Sequence, residues 1–176
     1  MAMLPNDMTC LSLFAALGFS LGGCAEAPSA APPTATGAPT FYQSLDSTNA
    51  SVDPIAARDM ISVYRRNNGL PTVAVDPALQ EEARAAVDAM ARANDINQKK
   101  LEPLTKRLAA VHATRAMAVE NVSAGYHTLA EAFSGWRDSK PHNANMLAPK
   151  ARRMGIATAY VPGSKYKVFW ALVLTD

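Results

Sequence analysis

Two residues in the stretch from Val119 to Leu147 carry the chemistry of a reactive site. Glu120 sits among apolar residues ahead of a helix, and His142 stands between Pro141 and Asn143 in the turn that follows it. A carboxylate and an imidazole converging on one cleft can orient a water, relay a proton or offer two ligands to a metal. Each task needs more than the pair. Hydrolysis requires a nucleophile or an activated water, and neither Gly-x-Ser-x-Gly nor His-Glu-x-x-His occurs in the chain. A transition metal asks for three or more protein groups, preferably imidazole or thiolate. The structural alternative is a charge-assisted hydrogen bond tying the loop before the helix to the turn behind it.

The other two histidines add little. His127 lies beside a helix start in Gly125-Tyr126-His127-Thr128 and reads as an exposed loop residue, and His112 reads as surface. Thiol chemistry is removed by the leader. Leu11 to Gly23, LSLFAALGFSLGG, is too short to span a bilayer, which takes about 20 residues, and matches the apolar region of a signal peptide. Leu21-Gly22-Gly23-Cys24 resembles a bacterial lipobox, in which Cys24 becomes the lipidated first residue. The leader lacks a Lys or Arg before its apolar run, whether the chain starts at Met1 or Met8. With Cys10 cleaved away and Cys24 lipidated, the mature domain keeps no free thiol.

The elements that must position Glu120 and His142 follow from punctuation and periodicity. Residues 24–51, rich in Pro and Ala, are expected to form a flexible tether between lipid and domain. Asp53-Pro54 and Asp76-Pro77 are helix starts, with Asp as cap and Pro at the first helical position. The first helix places Ala57, Met60, Ile61 and Tyr64 on one face and stops at Asn68-Gly69. The second buries Leu79, Ala83, Val87 and Met90. Leu101, Leu104, Leu108 and Val111 suggest helical turns interrupted by Pro103. Thr128 and Glu131 form a capping box for a helix whose inner stripe is Leu129, Ala132, Phe133 and Trp136.

A hairpin closes the chain, Arg153 to Val161 and Lys165 to Leu174, around a type II turn at Pro162-Gly163. Its second strand is apolar at nearly every position, so the sheet must be covered on both faces. The expected fold is therefore α+β: a three-layer α-β-α sandwich around a small, mainly antiparallel sheet.

A chain of 176 residues, 49% of them apolar, is ample for one core. The net charge of +2 comes from scattered basic pairs, Arg65-Arg66, Lys99-Lys100 and Arg152-Arg153, which read as solvated surface. No basic stripe with interleaved aromatics appears, which excludes nucleic acid as a partner.

Taken in order and spacing, these residues resemble the CAP superfamily: cysteine-rich secretory proteins, antigen 5 and pathogenesis-related proteins, which share an SCP-like domain. The likeness is to its bacterial, disulfide-free branch and covers Ala56 to Leu174. It rests on Tyr64-Arg65 with Asn68-Gly69-Leu70-Pro71, Asp76-Pro77 with Leu79, Glu120-Asn121-Val122, Trp136, Ser139 to Leu147, Met154 to Ala157 and the closing apolar strand. The resemblance implies the α-β-α sandwich and a cleft that usually holds two histidines and two acids, the histidines binding a divalent metal in several members. His142 matches the histidine of the Ser-Pro-x-His motif, and Glu120 the acid of the Glu-Asn motif. Gln98 stands where the other histidine is expected. Ser139, with Asp138 beside it, stands where the second acid is expected. Half of the set is missing.

The domains expected are thus a signal peptide over 1–23, the tether over 24–51 and an SCP-like domain over 52–176. The function expected is that of a lipid-anchored, monomeric, non-catalytic envelope module, with no membrane-spanning segment. Its cleft or groove would bind an envelope component or a small apolar ligand, on the outer membrane facing the periplasm or outside the cell. The alternative is a weak peptidase-like hydrolase using His142 and Glu120, with Gln98, Asp138 and Ser139 as further cleft candidates. No cofactor is expected. A divalent metal at the cleft, with His142 as its candidate ligand, stays open.

Overall fold

The computed structural model describes residues 39–97 and 101–176. The expected leader, Cys24, the tether up to residue 38, Gln98 and Lys99-Lys100 lie outside the described residues.

Both Asp-Pro starts form helices as their chemistry dictates. In α1 (Pro54–Asn67) Asp53 Oδ1 accepts from Ile55 N at 2.8 Å and Ala56 N at 3.3 Å. In α2 (Pro77–Ala93) Asp76 Oδ1 accepts from Ala78 N at 2.9 Å and Leu79 N at 3.2 Å. Between them lies β1, only Ala74–Val75. Pro103 precedes α3 (Leu104–Ala110) and does not interrupt it, because its missing N–H costs nothing at a helix start.

The next element corrects the sequence reading. Ala118–Ala124, expected as a loop ahead of a helix, is strand β2. It leads into α4 (Leu129–Asp138), whose cap Thr128 accepts from Glu131 N at 3.2 Å. The Glu131 carboxylate reaches one residue further back than a capping box requires, to His127 N at 2.7 Å. His142 likewise lies not in a turn but in the first turn of a second short helix, α5 (Lys140–Met146).

The chain closes with β3 (Arg153–Tyr160) and β4 (Val168–Thr175). The turn between them has Gly163 at φ +81°, with Ser164 N donating to Val161 O at 3.2 Å, as a type II turn demands. The second strand starts at Val168, not at Lys165, because Lys167 takes a left-handed φ of +60° and ends the connector.

The four strands make one mixed sheet in the order β1-β3-β4-β2, parallel only between β1 and β3. Every residue of β4 is buried. Val168, Trp170, Leu172 and Leu174 pack into a core with α1, α4 and α5, while Phe169, Ala171 and Val173 pack into a second core with α2 and α3. The three-layer α-β-α architecture is thus present, with the sheet sealed on both faces. Among the described residues no helix is long and apolar enough to cross a membrane.

Two parts of the surface reading change. Thr40–Tyr42 is a 3-10 helix, and Leu45 and Val52 are buried in the α1/α4 core with Phe41 and Ala50 against it, so this part of the stretch expected as tether packs on the domain. Arg65 is 0% exposed rather than solvated. It donates to the carbonyls of Pro71 (2.8 Å), Met146 (2.8 Å), Ala148 (3.0 Å) and Ala151 (3.0 Å), so its charge is buried against four partial negative charges.

Gly155 marks the closest approach of α2 to the sheet: a methyl group there would run into the backbone carbonyl of Leu79. Helix backbone cannot retreat as a flexible side chain can. Gly155→Ala should lower stability by about 2–3 kcal/mol, read as a lower midpoint in equilibrium urea unfolding.

Candidate functional site

Strand β2 divides its side chains between the two layers. Ala118, Val122 and Ala124 pack toward α2 and α3, and Val119 packs toward α1 and α4. Glu120 therefore follows the even positions to the α2/α3 side. Its carboxylate pairs with the Arg107 guanidinium of α3, and Arg107 Nε lies 3.1 Å from Oε1 of Glu82 on α2. Glu82 is 1% exposed, Arg107 12% and Glu120 18%. Burial pushes the Glu82 carboxyl up to about 7, against the pull of Arg107 and with the Glu120 charge adding to the rise.

The odd positions of β2 meet the other layer. Ser123 Oγ accepts from Trp136 Nε1 at 3.0 Å, and Asn121 Nδ2 donates to the carbonyl of His142 at 3.0 Å. Asn145 of α5 donates to the Glu120 carbonyl at 2.8 Å and to Asn121 Oδ1 at 2.9 Å. This edge of the sheet is therefore closed by the amides of Asn121 and Asn145. Glu120 and His142 are joined through that backbone network. Among the described residues no hydrogen bond links the Glu120 carboxylate to the imidazole: the carboxylate turns to Arg107 on the α2/α3 side, while α5, which carries His142, packs on the other layer. The His142 ring is partly buried, and desolvation lowers its pKa, keeping it neutral at neutral pH.

The remaining candidates are dispersed. Ser139 joins α4 to α5 and makes no side-chain cap bond there. The Asp138 carboxylate is exposed and pairs with Arg137 Nε at 3.0 Å. His112 is exposed. His127 is an exposed loop residue as expected, although its Nδ1 also meets Asp46 Oδ1 at 2.6 Å.

The residues that sequence reasoning missed are Glu82 and Arg107. Glu82 carried a visible signal: it falls inside the buried stripe of α2, between Leu79 and Ala86, where a charge requires a partner. Arg107 gave none.

Arg107 also bears on the metal that the resemblance implies. Among the described residues no group of three or more His, Cys, Asp or Glu side chains could hold a metal ion. The best oxygen donor, Glu120, is already matched to a cation. The donor set does not fit the divalent metal that the cleft would imply.

A second concavity lies on the opposite layer. A hollow of about 710 Å³ opens between α1, α4 and the 3-10 turn, lined by Phe41, Ala56, Met60, Val63, Tyr64 and Phe133. Tyr64 and Phe133 meet edge to face with centroids 5.3 Å apart, and the Tyr64 hydroxyl donates to Asn143 Oδ1 at 2.9 Å. The wall is mostly apolar, with Thr40, Asp59 and Asn67 as its polar members.

The Glu82 carboxyl gives a pH signature. Its folded-state value lies above the ordinary 4.5, so the stability it contributes is full below that pH and is lost as pH rises through about 7. Glu82→Gln keeps the uncharged form at every pH. Thermal unfolding at about pH 5 and about pH 8 should show the variant gaining on the wild type as pH rises; a difference that does not change with pH would contradict the assignment.

Comparison with known proteins agrees with this geometry. The family model described as CAP, cysteine-rich secretory protein family, matches residues 58–174. No curated protein matches. Three solved structures share the fold. An extracellular protein containing an SCP domain from Bacillus anthracis is 22% identical (TM-score 0.58), covering 70% of this chain and 40% of that one. A cysteine-rich secretory protein from Staphylococcus aureus is 18% identical (TM-score 0.52), covering 68% of this chain and 37% of that one. An outer surface protein from Borrelia burgdorferi is 14% identical (TM-score 0.62), covering 72% of this chain and 98% of that one. The chain thus spans less than half the length of the first two. With its two covered sheet faces, its Glu-Asn strand and a family match running from α1 to the end of β4, the chain belongs to the CAP family.

Proposed function

We propose that the chain is an envelope-held binding module that takes a small apolar ligand in the hollow between α1 and α4. The observation that carries this reading is the hollow itself. At about 710 Å³ it falls in the range of small-molecule sites, and its lining is predominantly aromatic and aliphatic, with Thr40, Asp59 and Asn67 as the polar groups. Val63 is exposed in its wall, a cost that a bound apolar partner would remove. Near Glu120 and His142, among the described residues, the carboxylate is matched by Arg107 and the outward carbonyl of Glu120 is taken by Asn145, which favours the hollow as the ligand site.

Location follows from the leader. A lipid on Cys24 would hold the domain at a membrane surface, facing the periplasm or the outside. Two of the similar structures are an extracellular protein and an outer surface protein, which supports that side of the membrane. Cys24→Ser should move the full-length protein from the membrane to the soluble fraction of the expressing cells. Continued membrane association would remove the lipid anchor from this reading.

The binding reading is tested with a fluorescent fatty acid titrated into wild type and Ala56→Trp, whose added ring fills the hollow. Wild type should saturate, and the variant should bind at least about tenfold more weakly, a change of about 1.4 kcal/mol. Equal affinity in both proteins, or no binding to either, would overturn it. Turnover of an ester or peptide that is abolished in a folded His142→Ala variant would establish the hydrolase instead.

A further inference from the structure

Arg107 is placed unlike an ordinary salt-bridge arginine. It reaches from α3 to a carboxylate on α2 and to another on β2, but its Nε and Nη1 make no hydrogen bond, and neither does either carboxylate oxygen of Glu82. The contact with Glu82 is therefore charge against charge, without the fork geometry that favours arginine for binding carboxylates. Two carboxylates removed from water repel each other and pay a desolvation penalty of several kcal/mol each unless a cation stands between them.

We propose that Arg107 is the resident cation of this cleft, occupying the place between Glu82 and Glu120 that a divalent ion would otherwise take. The side chain of a seven-residue helix thus does by covalent attachment what a metal does by coordination. The site needs no ion and accepts none while α3 is docked. α3 is held over the sheet by Leu108, which is buried in the same core as Val122, so the guanidinium is delivered by packing. This inference does not depend on the ligand hollow, which lies on the other layer.

The chemistry exposed by removing the guanidinium is specific. The two carboxylates offer hard oxygen donors which, with water filling the remaining positions, suit Ca²⁺ best, Mn²⁺ less and a thiolate-preferring ion least. Ion uptake must displace the proton held by Glu82, so it strengthens as pH rises.

The experiment compares full-length wild type, Arg107→Ala and Arg107→Ala/Glu82→Gln by thermal unfolding at about pH 8, alone and with about 1 mM Ca²⁺, Mn²⁺ or Zn²⁺. The wild-type midpoint should stay within about 1 °C in every ion and in chelator, while Arg107→Ala falls by about 5 °C or more and recovers at least about 3 °C with one of the ions. The double variant should regain stability with no ion and lose the ion response. A wild type as ion-responsive as Arg107→Ala overturns the proposal. So does an Arg107→Ala that keeps wild-type stability, or one that no ion stabilises. If Arg107→Ala does not fold alone, refolding in each ion replaces the melt. A native circular dichroism spectrum obtained only with an ion supports the proposal, and failure in all three ions overturns it.

Discussion

The organisation of this domain depends on burying β4 on both faces. Eight consecutive residues, VFWALVLT, leave no side for water. The strand must lie inside the sheet with helices above and below, and its side chains alternate between two separate cores. That division propagates to its neighbours. β2 pairs with β4 in strict register, Glu120 opposite Val173 and Asn121 opposite Leu172. The pleat then sends the carboxylate to one layer and the amide to the other. Two adjacent residues that look like one motif in the sequence do separate jobs: Glu120 joins a buried ion cluster, and Asn121 fixes α5.

The legible parts of the fold were those written in local chemistry. Asp53-Pro54 and Asp76-Pro77 announce their helices because cap and Pro act within three residues of themselves. The stripe of α2 and the Pro162-Gly163 turn are likewise local. The apolar run of β4 is legible for another reason, since its composition alone demands two covers. β2 was not legible. Its polar residues Glu120, Asn121 and Ser123 face buried layers, each satisfied by a partner far away in sequence, so the apolar-polar alternation that marks a half-buried strand is absent. α5 was hidden by Pro141, Asn143 and Asn145, all poor helix formers, of which Asn143 accepts from Tyr64 and Asn145 donates to Glu120 O and Asn121 Oδ1. Arg65 looked like half of a surface pair, because three of its four carbonyl acceptors lie about 80 residues away, at the end of α5 (Met146) and on the segment between α5 and β3 (Ala148 and Ala151).

The candidate site shows the same limit. A Glu-Asn pair and a histidine after the tryptophan helix could be read from the chain, but the cation that governs the glutamate could not. Arg107 sits in a stretch of scattered Lys and Arg with no mark of distinction, and only the docking of α3 beside Glu82 gives it meaning. The hollow between α1 and α4 is also a product of assembly. Met60, Tyr64 and Phe133 each read as core-facing, and the space they leave follows from the angle at which the helices and the Phe41 turn meet.

Beyond Met154, the outer side of β3 has no partner strand among the described residues, because β1 ends after two residues. There the Gln80 side chain acts as a substitute rung: its Oε1 accepts from Ile156 N at 2.6 Å and its Nε2 donates to Ile156 O at 2.9 Å. Two residues on, Thr158 Oγ1 accepts from Val52 N at 3.1 Å. An uncovered row of peptide groups is a template on which a second molecule can crystallise into a fibril. By engaging the margin of β3 with one amide and one hydroxyl, the domain blunts that route to self-assembly, which matters most where many copies are crowded together.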